Sequence, residues 1–173
     1  KHNYMVMNVS DLARTVKEAF YIARTGRPGP VLIDLPRDVQ QDMAEFVYPA
    51  KVNLPGYKPT RVGNHMQVKK AAKMIGEADK PVVIAGHGVR ISGAYNELKQ
   101  MAETAQIPVV TTLLGISSFP ESHDLSCGML GMHGLAYANM AVTNSDLIVA
   151  VGMRFGDRAT GKISVFAPHA KVI

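Results

Sequence analysis

The sequence predicts an α/β protein organised around a doubly wound parallel sheet, Rossmann-like in its alternation. From about residue 64 onward, segments of helical and strand periodicity alternate, and strands separated by helices of this length pair in parallel with right-handed crossovers. The runs Pro81–Ala85, Ile107–Thr112 and Asp146–Gly152 are short, apolar and rich in branched residues, the composition of strands covered on both faces. Glycine turns follow the first and last of these runs, as Gly86-His87-Gly88 and as Gly152-Met153-Arg154-Phe155-Gly156-Asp157-Arg158. In open α/β sheets the ligand crevice lies along the carboxyl ends of the strands, so these turns are candidate binding loops.

In chain order, residues 10–25 read as an amphipathic helix. Ser10 is the expected N-cap, Asp11 lies in the first turn, and Leu12, Val16, Ala19, Phe20 and Ala23 recur at helical spacing. Gly26 ends it, and Gly26-Arg-Pro-Gly-Pro30 is a turn that neither helix nor strand crosses. Val31–Leu35 reads as a short buried strand closed by Pro36. Residues 42–63 carry Pro49, Pro55 and Pro59 with little periodicity, a linker composition. The expected division is 1–45, a linker over 46–64, and a second domain over 65–173. A helix starts at Asn64, with Val68, Ala71, Ala72 and Ile75 at i, i+3, i+4 and i+7. A second spans 92–105, buried through Tyr95, Leu98, Met101, Ala102 and Ala105, and a third spans 135–143. Between a loop and this third helix stands Leu130-Gly-Met-His-Gly134, whose glycines let backbone N–H groups approach a ligand.

The chain is long enough for one domain or one and a piece of another, and its 47% hydrophobic content supports a real core. No apolar run approaches the ~18 residues of a membrane span, and no basic-then-apolar leader opens the chain. Lys1 rather than Met is first, and Lys171-Val-Ile173 reads as a strand cut in mid-run, so an internal piece of a longer protein is expected. One cysteine, Cys127, excludes an internal disulfide and fits a reducing compartment. The net charge of +5 and pI near 9.4 suit an anionic ligand such as a phosphate-bearing cofactor. Lys58, Arg61, Lys69, Lys70 and Lys73 have almost no aromatic interleaving, so they read as a solvated face and not as a nucleic-acid site.

Several chemistries are excluded by their missing motifs. In Gly86-His87-Gly88 the third glycine of a dinucleotide fingerprint would fall at Ile91, and the next strand ends in Thr111-Thr112-Leu113 without a ribose-binding acid, so an ordinary NAD site is disfavoured. There is no Gly-x-Ser-x-Gly elbow, no phosphate loop ending in Gly-Lys-Ser/Thr and no His-Glu-x-x-His. His2, His65, His123 and His169 read as surface residues. His133, on its glycine turn beside Met132, is the histidine placed to meet a ligand, and Met132 suits contact with a flat ring.

Four stretches together carry a family resemblance: Gly26-Arg-Pro-Gly-Pro-Val-Leu-Ile-Asp-Leu-Pro36, Leu130-Gly-Met-His-Gly134, Tyr137-Ala-Asn139, and Arg154-Phe-Gly-Asp-Arg158 running into Thr160-Gly-Lys162. The chain resembles, over its whole length, the catalytic large subunit of the acetolactate synthase (acetohydroxyacid synthase) family of thiamine-diphosphate enzymes. The first stretch alone is shared with pyruvate oxidase-like and glyoxylate carboligase-like enzymes. The combination is specific.

The resemblance implies that residues 1–45 are the tail of a pyrimidine-binding domain and residues 65–173 an incomplete FAD-binding central domain. It implies FAD contacts at Arg27; at Gly86, His87 and Gly88; at Thr112 and Leu113; at Leu130, Gly131, Met132 and His133; and at Gly152, Met153, Arg154, Phe155 and Gly156. In many relatives glycine stands at the position of His87 and aspartate at that of Gly156. Arg37, Met132, Asp157 and Arg158 match positions lining the channel where sulfonylurea-type inhibitors bind, with Arg37 in place of a frequent lysine. The implied reaction condenses two pyruvates, or pyruvate and 2-ketobutyrate, to 2-acetohydroxy acids with loss of CO2, using thiamine diphosphate and Mg2+. Neither the Gly-Asp-Gly diphosphate motif nor the activating glutamate is expected within this chain, so no catalytic residue is assigned. A homo-oligomer with a regulatory small subunit is implied, in bacterial cytoplasm or a eukaryotic organelle, with 2-keto acids as substrates and neither nucleic acid nor membrane as partner. The competing readings are the central domain of a pyruvate oxidase-like or glyoxylate carboligase-like enzyme and a non-catalytic nucleotide-binding module.

Overall fold

A computed structural model describes all 173 residues, and the chain divides into two units, Lys1–Gly63 and Asn64–Ile173. In the first unit, strand β1 (His2–Met5) runs parallel to β2 (Val31–Asp34), with His2 opposite Val31 and Met5 opposite Asp34. Helix α1 (Leu12–Arg24) connects them after a 3-10 turn at Val9–Asp11. The cap of this entry is Asn8 and not the expected Ser10. The Asn8 carboxamide oxygen accepts from the Ser10 N–H at 2.9 Å and from its hydroxyl at 2.7 Å, because the 3-10 turn starts the helical chain one turn early. The buried stripe of α1 is Thr15, Glu18, Ala19 and Ile22, whereas Phe20 is 65% exposed. Glu18 is buried but paired, accepting from Tyr4 Oη and Arg14 Nη1, each at 3.3 Å.

The buried strand expected at Val31–Leu35 is instead half-exposed. Val31 and Ile33 are half-buried while Leu32 and Asp34 face out, the alternation of a strand covered on one face only. Pro36, with no N–H to donate, ends the strand and serves as N-cap of α2 (Arg37–Gln41), an element the sequence does not announce. Residues 42–63 contain neither helix nor strand. Lys17 Nζ donates to the carbonyls of Pro49 and Ala50, and the Tyr57 hydroxyl donates to Thr25 O at 2.8 Å. Beneath this segment lies a cavity of ≈ 340 Å³ lined by Val9, Leu12, Ala13, Val16 and residues 44–48.

The second unit opens with α3 (His65–Glu77), whose cap Asn64 accepts from the N–H groups of Met66 and Gln67 at 3.0 and 3.2 Å, as expected of that residue type. Then follow β3 (Pro81–Ala85), α4 (His87–Ser92), α5 (Tyr95–Ala105), β4 (Val109–Thr111), β5 (Ser126–Met129), α6 (Ala136–Thr143), β6 (Leu147–Val151), α7 (Asp157–Thr160) and β7 (Lys171–Val172). The helix expected over 92–105 is α5, which starts three residues later, and α4 before it is a helix the sequence reading did not expect. Gly93, left-handed at φ +70°, closes α4 by donating to the carbonyls of Arg90 and Val89. Only Leu98 and Ala102 of α5 are buried, while Tyr95 and Ala105 are exposed.

All five strands of this unit are parallel, in the order β5-β4-β3-β6-β7. The chain builds outward from β3 through β4 to β5, then returns to add β6 and β7 on the other side. Alternate residues of the strands enter two cores. Val83, Ala85, Val109, Leu147 and Val149 pack with Leu98 and Ala102 of α5 and with Met74 and Ile75 of α3. Val82, Ile84, Val110 and Ile148 pack with Ala138 and Val142 of α6. Both faces are thus covered, and residues 82–85 are at most 1% exposed, which is why the strand can be read as a continuous apolar run.

Asp146 braces the start of β3 and β6. Its carboxylate accepts from the N–H groups of Asp79 at 2.7 Å and Lys80 at 2.9 Å, and these bonds hold it below its ordinary pKa. His123, expected at the surface, is half-buried: its Nδ1 accepts from Leu125 N–H at 3.1 Å, and its Nε2 lies 3.1 Å from Glu103 Oε1. With Nδ1 as acceptor, Nε2 carries the proton. No helix is long and apolar enough to cross a membrane.

Candidate functional site

The strand order reverses between β3 and β6, so the crevice of this sheet lies at the carboxyl ends of those two strands. Four loop tips meet there, joined by backbone hydrogen bonds. Gly88 N–H donates to Gly152 O at 2.8 Å, and Gly86 N–H to Val151 O at 2.9 Å. Thr112 N–H donates to Ala85 O at 2.9 Å, Leu130 N–H to Thr111 O at 3.0 Å, and Met132 N–H to Arg158 O at 3.0 Å. Residues 86–88, 112–115, 130–134 and 152–158 therefore form one continuous rim.

Glycine is required where these tips touch. A Cβ on Gly88 would stand 2.6 Å from the Gly152 Cα, and one on Gly152 would stand 2.6 Å from the Gly88 Cα. Gly152 is also left-handed, at φ +61°, so two independent reasons exclude a side chain there. Gly131, at φ +105°, would press a Cβ to 2.5 Å from Arg158 O. By contrast Gly156 has an ordinary φ of −82°, and no atom lies within 4 Å of the point a Cβ would occupy. The glycine turn expected at Gly86-His87-Gly88 is instead the N-terminus of α4, with Gly86 as its N-cap; its glycines lock that first turn against the loop after β6, and the broken dinucleotide fingerprint is accounted for by packing.

What the rim presents outward is of two kinds. Leu113 is 68% exposed and Met132 64%, with Phe155 half out and resting edge-on against Phe166 at 6.3 Å. His87, His133, Arg154, Asp157 and Arg158 are also exposed. Arg154 makes no ion pair, and Asp157 and Arg158 form a loose, open pair at 3.8 Å, of a kind that contributes little. The N–H groups of His133, Met153, Arg154 and Phe155 donate to no protein acceptor. A crevice with apolar side chains, a free cation and undirected N–H groups suits a flat ring joined to an anionic diphosphate.

The structure therefore gathers every sequence-expected residue of the second unit, from Gly86 to Arg158, onto one rim. Arg27 and Arg37 belong to the first unit. Arg27 is exposed in the turn after Gly26, which is itself left-handed at φ +57°, and Arg37 is exposed at the first position of α2. Gly115 escapes sequence reasoning, and Asn139 enters it only within the Tyr137-Ala-Asn139 stretch, without a role. Gly115 abuts the backbone at Ala85 and Gly86, and Asn139 of α6 bonds both polar groups of Gly131. Burial raises the pKa of the Cys127 thiol, which sits beside the core of the α6 face and not on the rim.

Residues 68–173 match the family described as thiamine pyrophosphate enzyme, central domain. Among curated proteins the chain is 54% identical over 176 residues to a probable acetolactate synthase large subunit of Methanocaldococcus jannaschii, covering 100% of this chain and 30% of the relative. It is 51% identical over 173 residues to the acetolactate synthase large subunit of Corynebacterium glutamicum, covering 100% of this chain and 28% of the relative. Against the probable acetolactate synthase 2, chloroplastic, of Oryza sativa subsp. japonica it is 47% identical over 178 residues, covering 100% of this chain and 26% of the relative. The chain spans about 30% or less of the length of these relatives.

Proposed function

The chain belongs to the thiamine pyrophosphate enzyme central-domain family, and from that premise we propose that it is a segment of an acetolactate synthase large subunit whose second unit binds FAD. The relatives' names and their identity over the whole chain support this reading. The whole enzyme then condenses two pyruvates, or pyruvate and 2-ketobutyrate, to 2-acetohydroxy acids with release of CO2. One observation carries the flavin assignment: four loop tips are bonded into a rim at the switch point, with Met132 and Arg154 directed outward from it.

The residues present fit FAD. Arg154 and the free N–H groups of Met153 to Phe155 would hold the anionic diphosphate, and Met132 and Leu113 would pack on the flavin ring. FAD supplies a redox-capable ring, yet the condensation is redox-neutral, so the work of these residues is binding and orientation. Met132, Asp157 and Arg158 line the approach to the active site in this reading. The chain has no Gly-Asp-Gly run and no group of three His, Cys, Asp or Glu side chains that could hold a metal ion. Its residues do not fit thiamine diphosphate with Mg2+, and no chemical step is assigned to them. The enzyme is a homo-oligomer with a regulatory small subunit, located in the cytoplasm or, in a eukaryote, in an organelle.

The test is flavin fluorescence titration of the full-length protein. Arg154→Ala weakens FAD binding roughly tenfold or more, as for loss of a hydrogen bond to a charged group, and the deficit shrinks as salt rises because screening weakens the wild-type contribution. An Arg154→Ala protein that binds FAD as tightly as wild type at low salt makes the loop from Gly152 to Arg158 structural and removes the flavin assignment's charged contact.

A further inference from the structure

Gly131 has a φ of +105° and lies between β5 and α6, outside both. Its carbonyl accepts from the Gly134 N–H at 2.9 Å, and the side chain of Asn139 bonds both its N–H and its C=O. Asn139 Oδ1 accepts from the Gly131 N–H at 2.8 Å, and Asn139 Nδ2 donates to the Gly131 carbonyl at 3.1 Å. Gly131 is buried, so without this carboxamide a buried N–H would lack its partner. Asn139 is itself half-buried, and its own N–H is held by Leu135 O at 3.1 Å. The acceptor is the indispensable half, since the Gly131 carbonyl also has the Gly134 N–H while the Gly131 N–H bonds Asn139 alone. The residue after this clamp is Met132, whose N–H is tied to Arg158 O at 3.0 Å. Met132 thus projects from a loop held on one side by α6 and on the other by residues 158–159.

We propose that Asn139 is a positioning residue: by clamping Gly131 it sets the Met132 side chain for contact with the ring of the bound flavin. The proposal rests on the flavin reading above. It places Asn139 outside direct contact with the cofactor, so its effect passes through Met132.

The experiment is a double-mutant cycle in the full-length protein, reading the FAD dissociation constant, the flavin absorption spectrum and the melting temperature without FAD. Asn139→Ala weakens FAD binding roughly tenfold, the scale of one buried group left unsatisfied, and shifts the flavin spectrum in the same direction as Met132→Ala. In the Met132→Ala background Asn139→Ala has less than about a twofold further effect, because coupled residues are non-additive. Should Asn139→Ala fail to fold, Asn139→Leu, which keeps the side-chain volume and loses the acceptor for the Gly131 N–H, is read in the same cycle. Additive losses, or a spectrum unchanged by either Asn139 variant, overturn the proposal while leaving the flavin reading intact. Wild-type protein that takes up no FAD overturns both.

Discussion

Val31–Asp34 and Pro81–Ala85 read alike in the sequence, as short branched apolar runs closed by a proline or a glycine, yet they have different fates. The second is sealed between two helical layers, with Val83, Ile84 and Ala85 at 0% exposure, while the first alternates between half-buried and exposed, with Leu32 at 62%. The difference lies in what covers the faces. β3 packs against α3 and α5 on one face and α6 on the other, and β2 packs against α1. An apolar run states that a strand can be buried; the layers on its two faces decide whether it is. The same contrast recurs among the rim glycines, where Gly152 is wedged against Gly88 and Gly156 stands in open space.

The comparison is sharpened most by the glycines. Gly152→Ala combines left-handed strain with overpacking against backbone, together on the order of 4 kcal/mol, and lowers the urea midpoint of the chain accordingly. Gly156→Ala or Gly156→Asp leaves stability within about 0.5 kcal/mol of wild type, as an open surface site does. Equal effects at the two positions would break the distinction between them.

Next come the strands. Ile84→Ala empties a fully buried site and costs about 3 kcal/mol, within the range for such truncations. Ile33→Ala, at a half-buried position, costs about 1 kcal/mol, scaled to the smaller area removed from water. Hydrogen exchange of the β1 and β2 amides checks the second and urea unfolding the first. If Ile33→Ala proved as costly as Ile84→Ala, then β2 would be as well covered as β3.

The smallest effect is that of pH. Asp146, bonded to two N–H groups, has a folded-state pKa below its ordinary value near 3.8. Its contribution is therefore fully present above that unfolded value and is lost as pH falls through the lower folded one. Asp146→Asn should flatten this acid limb of the stability curve and leave the region above pH ~5 with only a modest, pH-independent loss. The measurement is the melting temperature as a function of pH for both proteins. Glu103, whose pKa is lowered chiefly by its hydrogen bond to His123, adds to the same limb in the wild type and the variant alike.

The sequence by itself determined the alternation of the second unit, the positions of β3, β6 and α6, the cap at Asn64 and the glycine-bearing stretches at 86–88, 130–134 and 152–158, whereas Thr112 and Leu113 were implied by the family resemblance alone. These signals are local: side-chain periodicity, branched apolar runs and turn residues act within a few positions. What only the tertiary structure decided were the elements that exist through their partners. Ser126–Met129 contains a glycine at φ +68° and little branching, and it becomes a strand by pairing with β4 across a register shift. His2–Met5 is a strand because β2 lies beside it. Likewise, a glycine in the sequence announces freedom, while the presence of a second backbone 2.6 Å from its missing Cβ is what makes Gly152 necessary and Gly156 replaceable. Asn139, a weak helix former set inside α6, gains its role only when the fold brings Gly131 within 2.8 Å of it. Contacts between distant positions are set by the register of sheet and helix, which no local pattern encodes.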